Sequence, residues 1–505
     1  MPTPNDATGP GGLLLALAVL LPFVGMLLAF ALGGRHVPRV ALLTVGAGLA
    51  LVVAIAGSLL HSGHALVYQL GGWAPPLGVA LRADGIAVAM LLAVALVVGG
   101  IAVYALDDFA MPRAQPEARA PLAFWLLLLA VWGSLNLACL GGDLFTLYVA
   151  LELITFAAVP LVCLDGRGET LRAALRYLLF ALVGSLLYLL GAVLAFGAYG
   201  TLDIALLAQR VQPGATSWTL LALMTAGLLA KTALFPLHIW LPPAHAGAPA
   251  AASALLSGLV IKGSWVLVLR LWFDAMPGVV TLPAAQLLGA LGAGAIIFGN
   301  IVALRQVRLK LLVAYSTVAQ IGYLFLMFPL AFDSALSRIS DGLALTGGVV
   351  QAIAHATAKS AMFLAAGSIY SALGHDRIAD FAGLARALPI SVLAFALGGI
   401  SLVGLPPAGG FLAKWWLLSA AVSSGQWGFA PVLLIGGLLT AAYLYAVLAR
   451  ALRTPEAPLL LCAPVARRRE LATLALALAS VLLGAMALFD RPLLLLGRPL
   501  PQGLQ

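Results

Sequence analysis

The chain holds only five lysines, Lys231, Lys262, Lys310, Lys359 and Lys414, and four of them fall inside long apolar runs. A lysine at the centre of a membrane span costs about 2.5–3.5 kcal/mol to insert, so four cost roughly 10–14 kcal/mol before partners offset it. Chance placement is a poor explanation. Arginine supplies nearly all the loop charge. A guanidinium stays protonated under any plausible condition, whereas an ammonium in an apolar environment can release and regain its proton near neutrality. Intramembrane lysines are therefore candidates for a proton relay. Glu152, in Tyr148-Val149-Ala150-Leu151-Glu152-Leu153-Ile154-Thr155-Phe156, is the clearly intramembrane glutamate and the natural counter-ion of Lys231. At about 5 Å and an effective dielectric near 20 such a pair attracts by roughly 3 kcal/mol. One charge crossing 100 mV gains a comparable amount, about 2.3 kcal/mol.

His355 and Lys359 stand at i, i+4 and share one helix face. His238 follows the breaker Leu234-Phe235-Pro236, and with Lys262 it supplies candidate intermediates between Lys231 and His355. Lys414 lies four residues beyond the breaker Gly404-Leu405-Pro406-Pro407-Ala408-Gly409-Gly410, where a hydrated exit is physically reasonable. The order describes a relay running parallel to the membrane plane. Each group has a plainer reading. A lysine near a helix end can snorkel to the interface; His355 serves nearly as well as a structural hydrogen-bonding group, and His238 and His245, both close to breaks, are better read that way. Asp143 is read as a structural residue at the membrane surface.

The elements that must position these groups follow from composition. With 63% hydrophobic and 9% charged residues among 505, against roughly 25% charged in soluble domains, a water-soluble fold is excluded. Fourteen apolar runs of spanning length are expected, near 12–33, 40–60, 84–105, 121–141, 143–163, 171–195, 218–240, 250–272, 284–304, 308–330, 342–372, 388–420, 428–452 and 470–490. Continuous runs this long make helices and exclude a barrel. The fold expected is an all-α polytopic membrane protein in one membrane domain, 1–505, with three N-terminal helices in 1–120. Five-helix units at 121–272 and 284–452 and a last helix and tail in 453–505 complete it. The breakers interrupt the seventh and twelfth runs, five spans apart, and an odd number of spans forces two such units into opposite topologies.

Basic residues alternate between loops. One side receives Arg35, Arg39, Arg113, Arg119, Arg167, Arg172, Arg305, Arg308, Lys310, Arg377, Arg386, Arg450, Arg453 and Arg467 to Arg469; the other receives Arg82, Arg210, Arg270, Arg338, Arg491 and Arg498. The richer side is expected to be cytoplasmic, which places both termini on the opposite side. No Lys or Arg precedes the first run, so it reads as a retained span rather than a cleaved signal. Cys139, Cys163 and Cys462 are far apart with no CxxC, so neither an iron–sulfur cluster nor zinc is expected. The glycines form no nucleotide fingerprint, and the net charge of +9 is read as topology rather than as a sign of a nucleic-acid partner.

The segment from Lys231 through Pro236, His238 and His245 to Lys262 resembles the antiporter-like proton-translocating subunits of respiratory complex I, Mrp-type sodium/proton antiporters and membrane-bound hydrogenases. Tyr148 to Glu152, His355 to Lys359 with Met-Phe-Leu-Ala-Ala-Gly following, and Gly404 to Lys414 are similar to further motifs of that family, in the same order. The resemblance spans about residues 80 to 450. It implies fourteen helices with inverted five-helix repeats and discontinuous seventh and twelfth helices. It also implies a Glu152–Lys231 pair, Lys262 and His355 connecting two half-channels, and Lys414 at a terminal site. Lysine at 414 matches some subunits and departs from others that carry glutamate there. Lys359 beside His355 is more like Mrp and hydrogenase members. The long lateral helix of one complex I subunit is not expected, because the chain ends about 15 residues after the last run.

The function expected is a proton-translocating, antiporter-like subunit of an NADH-quinone oxidoreductase or Mrp-type complex in a bacterial inner membrane. Its alternatives are a subunit that carries Na⁺ directly and the proton-pumping subunit of a membrane-bound hydrogenase. No cofactor is expected in this chain; redox groups would sit on companion membrane subunits, and no redox or hydrolytic active site is expected here. Sodium ranks lower because it wants several oxygen ligands, whereas the interior offers amines and one carboxylate. A membrane transferase would need acidic or metal-binding surface clusters, and a scaffold would tolerate Lys231→Ala.

Overall fold

A computed structural model describes residues 10–110, 118–333, 338–455, 459–488 and 492–498. Arg113 and Arg491, two of the loop cations counted above, lie outside these. The helices are α1 (Pro10–Leu32), α2 (Val37–Ser62), α3 (Gly85–Asp108), α4 (Arg119–Leu140), α5 (Leu144–Val162), α6 (Gly168–Tyr199), α7 (Ala215–Thr232) and α8 (Leu241–Gly247). They continue as α9 (Ala250–Ala275), α10 (Leu282–Leu304), α11 (Leu309–Leu330), α12 (Leu343–Leu373), α13 (Pro389–Val403), α14 (Gly409–Ser423), α15 (Phe429–Ala451) and α16 (Arg467–Leu482). Among the described residues, twelve helices are long and apolar enough to cross a membrane unbroken. The two expected runs missing from those twelve are the seventh, 218–240, which is helical only as far as Thr232 of α7 with the short α8 following it, and the twelfth, 388–420, which is divided into α13 and α14.

Burial sorts the helices into layers. The most hydrophobic stretches of α9 and α12 are wholly buried, while those of α2 and α15 bury a third of their residues and turn leucines and valines outward. With lipid as apolar as leucine, close packing replaces the hydrophobic effect as the force between helices. Gly184 of α6 and Gly227 of α7 face each other, and a Cβ at Gly184 would stand 2.6 Å from the Gly227 carbonyl oxygen. The two backbones can approach only because neither residue has a side chain.

Asp84 caps α3 by accepting from the Ala87 amide at 2.9 Å. Asp143 caps α5, accepting from the amides of Phe145 at 3.0 Å and Thr146 at 2.8 Å, so its role in the fold is the structural one. A hairpin pairs Leu66–Gln69 with Ala80–Ala83 in antiparallel register, Leu66 opposite Ala83.

The face poorer in basic residues holds a buried charge cluster. Arg270 donates to Asp84 at 2.6 and 2.8 Å and to Asp274 at 2.7 Å. Arg498, brought back over this face by Pro492–Leu495, donates to Asp274 at 2.8 Å and to Asp341 at 2.7 and 2.9 Å. Arg270 and Arg498, counted as loop charges from sequence, thus tie the start of α3 and the end of α9 to the approach of α12. Burial pushes the Asp84 carboxyl up, but the Arg270 guanidinium and then Arg498 outweigh it and hold the group well below the usual carboxylate range. A depressed folded-state value means that this contribution is present above about pH 4 and is lost only in strong acid. Replacing Arg270 by Met leaves Asp84 buried without its main partner. The expected cost is about 3–5 kcal/mol, measured as a lower thermal midpoint of the chain in its membrane assembly; an unchanged midpoint would remove the cluster from the stabilising interactions.

Candidate functional site

Glu152 projects from α5 toward α6 and α7. Its carboxylate accepts from the Ser185 hydroxyl and, at 3.3 Å, from Lys231 Nζ. Lys231 Nζ also donates to Thr155 Oγ1 at 2.8 Å and to the Leu151 carbonyl at 3.4 Å. All three ammonium hydrogens therefore have acceptors on one turn of α5, which the close crossing of α6 and α7 at Gly184 and Gly227 allows Lys231 to reach. Beyond Lys231 the helix stops at Ala233, whose φ is 57°. The Ala230 carbonyl there accepts from the Ala233 amide at 3.3 Å and from Trp240 Nε1 at 3.0 Å. A void of about 10 Å³, room for one water, is lined by Lys231, Thr155, Tyr177 and Ser264 on the way toward α9.

Lys262 lies between two π-helical stretches of α9, Leu256–Val260 and Arg270–Ala275. A π-turn shifts the helical hydrogen-bond ladder, and Lys262 Nζ takes the Ser257 carbonyl at 2.6 Å. The same nitrogen contacts His355 Nδ1 of α12. One turn along α12, Lys359 points to α11 instead, donating to the Val313 carbonyl at 3.0 Å and contacting the Ser316 hydroxyl. Lys414 of α14 turns back to the end of α13, where Gly404 at φ 88° terminates the helix. Its amine donates to the freed carbonyls of Leu402 at 2.6 Å and Val403 at 3.1 Å and lies 4.2 Å from the Tyr323 ring centroid.

Lys231, Lys262, Lys359 and Lys414 are 7, 1, 0 and 9% exposed, so these amines are turned into the protein rather than out along its surface. His238 is set apart: its ring sits against Phe235 and Phe298 at 5.5 and 5.0 Å between centroids, and its Nδ1 has no partner among the described residues. His245 is fully buried and stacks on Phe363 at 4.7 Å. The remaining lysine, Lys310, counted as a loop charge from sequence, reaches the Ala248 carbonyl. It lines a cleft of about 600 Å³ with Asp108, Asp165, Arg167 and Arg308 on the arginine-rich face. Among the described residues no three His, Cys, Asp or Glu side chains converge to hold a metal ion.

Sequence reasoning missed the polar groups that hold the amines. Thr155, one turn after Glu152, was findable from helical spacing. Ser185, Ser316 and Tyr323 were not, because nothing local says which helix faces which lysine.

Residues 141–440 match the family model described as NADH:quinone oxidoreductase/Mrp antiporter, transmembrane. The chain is 35% identical over 443 residues to NADH-quinone oxidoreductase subunit N of Desulforudis audaxviator, covering 86% of this chain and 85% of that one. It is 30% identical over 435 residues to a Na⁺/H⁺ antiporter subunit of Alkalihalophilus pseudofirmus, covering 85% and 84%. Its fold is similar to a chain in the Mrp complex from Dietzia sp. DQ12-45-1b, with a TM-score of 0.84 at 24% identity over 96% of both chains. A chain of respiratory complex I from Thermus thermophilus gives 0.80 at 25% identity, covering 96% of this chain and 98% of that one. With more than half its length matched by the family model and its fold shared end to end, this chain belongs to the NADH:quinone oxidoreductase/Mrp antiporter transmembrane family.

Proposed function

We propose that the chain is a proton-translocating subunit of a multisubunit membrane complex, and that protons move along Glu152–Lys231, Lys262–His355, Lys359 and Lys414. The observation that carries this is the row of buried amines, each held by hydroxyls or carbonyls and one by a carboxylate. Neutral acceptors let an amine keep or release a proton without stranding a buried counter-charge. Lys262 and His355 are in contact, and two cations at that distance repel. A proton arriving on either one therefore favours departure of a proton from the other. His238 is left out of the conducting row, since its surroundings are aromatic.

Magnitude then sets the need for a partner. At 3.3 Å and an effective dielectric near 20, the Glu152–Lys231 attraction is about 5 kcal/mol. That exceeds the roughly 2.3 kcal/mol that one charge gains from 100 mV. Voltage acting on one proton does not open the pair; a conformational or electrostatic input from companion subunits does, and any redox cofactor belongs to them. The cleft beside Lys310 faces the arginine-rich side, which by the positive-inside bias is cytoplasmic and serves proton uptake. The membrane is then the bacterial plasma membrane, with both termini on its outer side. The two five-helix units, 121–272 and 284–452, each supply one half of the row, Glu152 to Lys262 and His355 to Lys414.

In the assembled complex reconstituted in vesicles, Glu152→Gln and Lys231→Ala are expected to lower proton translocation about tenfold or more. A loss of 1.4 kcal/mol in proton affinity already changes occupancy tenfold. Both variants are expected to insert and assemble, and wild-type translocation in either would overturn their assignment. Translocation is also expected to persist when sodium is replaced by potassium or choline; strict dependence on sodium would favour direct Na⁺ carriage. Purification of the native assembly identifies the companion subunits and so distinguishes a quinone oxidoreductase from an Mrp-type or hydrogenase complex.

A further inference from the structure

Between Lys359 and Lys414 the row has a gap. Lys359 contacts Ser316 and Lys414 lies over Tyr323, both on α11. Seven residues of helix separate these contacts, about 10 Å along the axis at 1.5 Å per residue. A proton hops across hydrogen bonds of about 3 Å, so the two amines cannot exchange one directly.

The gap is polar. Gln320 lies between Ser316 and Tyr323 on the same face of α11, and its Nε2 donates at 3.3 Å to the Leu402 carbonyl that Lys414 also uses. Gln351, one turn before His355 on α12, donates to Gln320 Oε1 at 3.0 Å. From α15, the Tyr443 hydroxyl lies beside the hydroxyls of Ser316 and Thr440. The Tyr323 hydroxyl faces Gly436, two turns earlier on α15, where no side chain takes up the space.

Four buried polar atoms here have no protein partner among the described residues: Tyr323 Oη, Tyr443 Oη, Gln351 Oε1 and His355 Nε2. Nine in ten buried polar groups are satisfied in folded proteins, and the usual partner where protein supplies none is ordered water. We propose that these side chains line a water-holding passage from His355 and Lys359 to Lys414, in which the Tyr443 and Tyr323 phenols pass protons and Gln320 and Gln351 orient the water. A phenol accepts a hydrogen bond while donating one. It can take a proton from one side and give up its own on the other, so that one H⁺ leaves Lys359, one arrives at Lys414 and no intermediate keeps a charge. A carboxamide holds its protons, which confines the glutamines to positioning.

This passage rests on the proton-translocating reading above, and its test separates the two. Tyr443→Phe and Tyr323→Phe, singly and together, are introduced into the complete complex in vesicles. Proton uptake is followed with an internal pH dye in H₂O and D₂O. The double variant is expected to translocate roughly tenfold more slowly or less, with a larger solvent isotope effect, which a purely structural role would not produce. Wild-type rate and isotope effect in the double variant, alongside loss of translocation in Lys231→Ala, would refute the passage and leave the proposed function standing; wild-type translocation in Lys231→Ala as well would refute both. A density map of the unaltered complex that resolves waters gives an independent answer. Water within about 3 Å of Tyr443 Oη and Gln351 Oε1 supports the passage, and a dry contact between these side chains overturns it.

Discussion

The constraint on which the structure depends is the free energy of holding an amine away from water. Each buried lysine must find acceptors for its hydrogens, and the way each one does so explains a peculiarity of the fold nearby. Lys231 finds a turn of α5, which requires α6 and α7 to cross at two glycines. Lys262 uses a carbonyl in a π-helical stretch. Lys414 uses carbonyls freed where α13 stops. Irregular backbone at membrane depth is tolerated only when something satisfies it. Here, at the end of α13, the side chain that needs acceptors and the backbone that needs donors satisfy each other.

The two faces of the molecule handle charge differently from the interior. Asp84, Arg270, Asp274, Asp341 and Arg498 form a closed network of guanidinium and carboxylate groups. Guanidinium keeps its proton, so such a network holds segments together without taking part in proton movement. Lysine along the buried row and arginine toward the two faces, with Lys310 the exception, is thus a division between groups that can exchange a proton and groups that cannot.

Much of this was legible in the chain itself. The rarity of lysine made its placement conspicuous, and Glu152 stood out as the clearly intramembrane glutamate, the natural counter-ion for Lys231. Breaks at Pro236 and at Gly404 to Gly410 could be seen because proline and glycine act locally. What could not be seen depends on helices distant in sequence. His238 looks like an intermediate from its neighbours in the chain, yet Phe298 of α10, 60 residues on, helps to enclose it in an aromatic site. Arg270 looks like a loop charge until Asp84, 186 residues earlier, is placed against it. Composition announces that a buried charge must have a partner; only packing says which one.

The ends of the row are chemically unlike. Lys231 faces a carboxylate, while Lys414 faces the carbonyl terminus of a half-helix, a partial negative charge that no proton can neutralise. Protonation of Glu152 would erase the attraction at the first end, whereas the second end has an electrostatic bias fixed by covalent structure. The molecule therefore has a built-in polarity within the plane of the bilayer, with an adjustable terminal facing a constant one, so that exchanging the two halves would not give the same device.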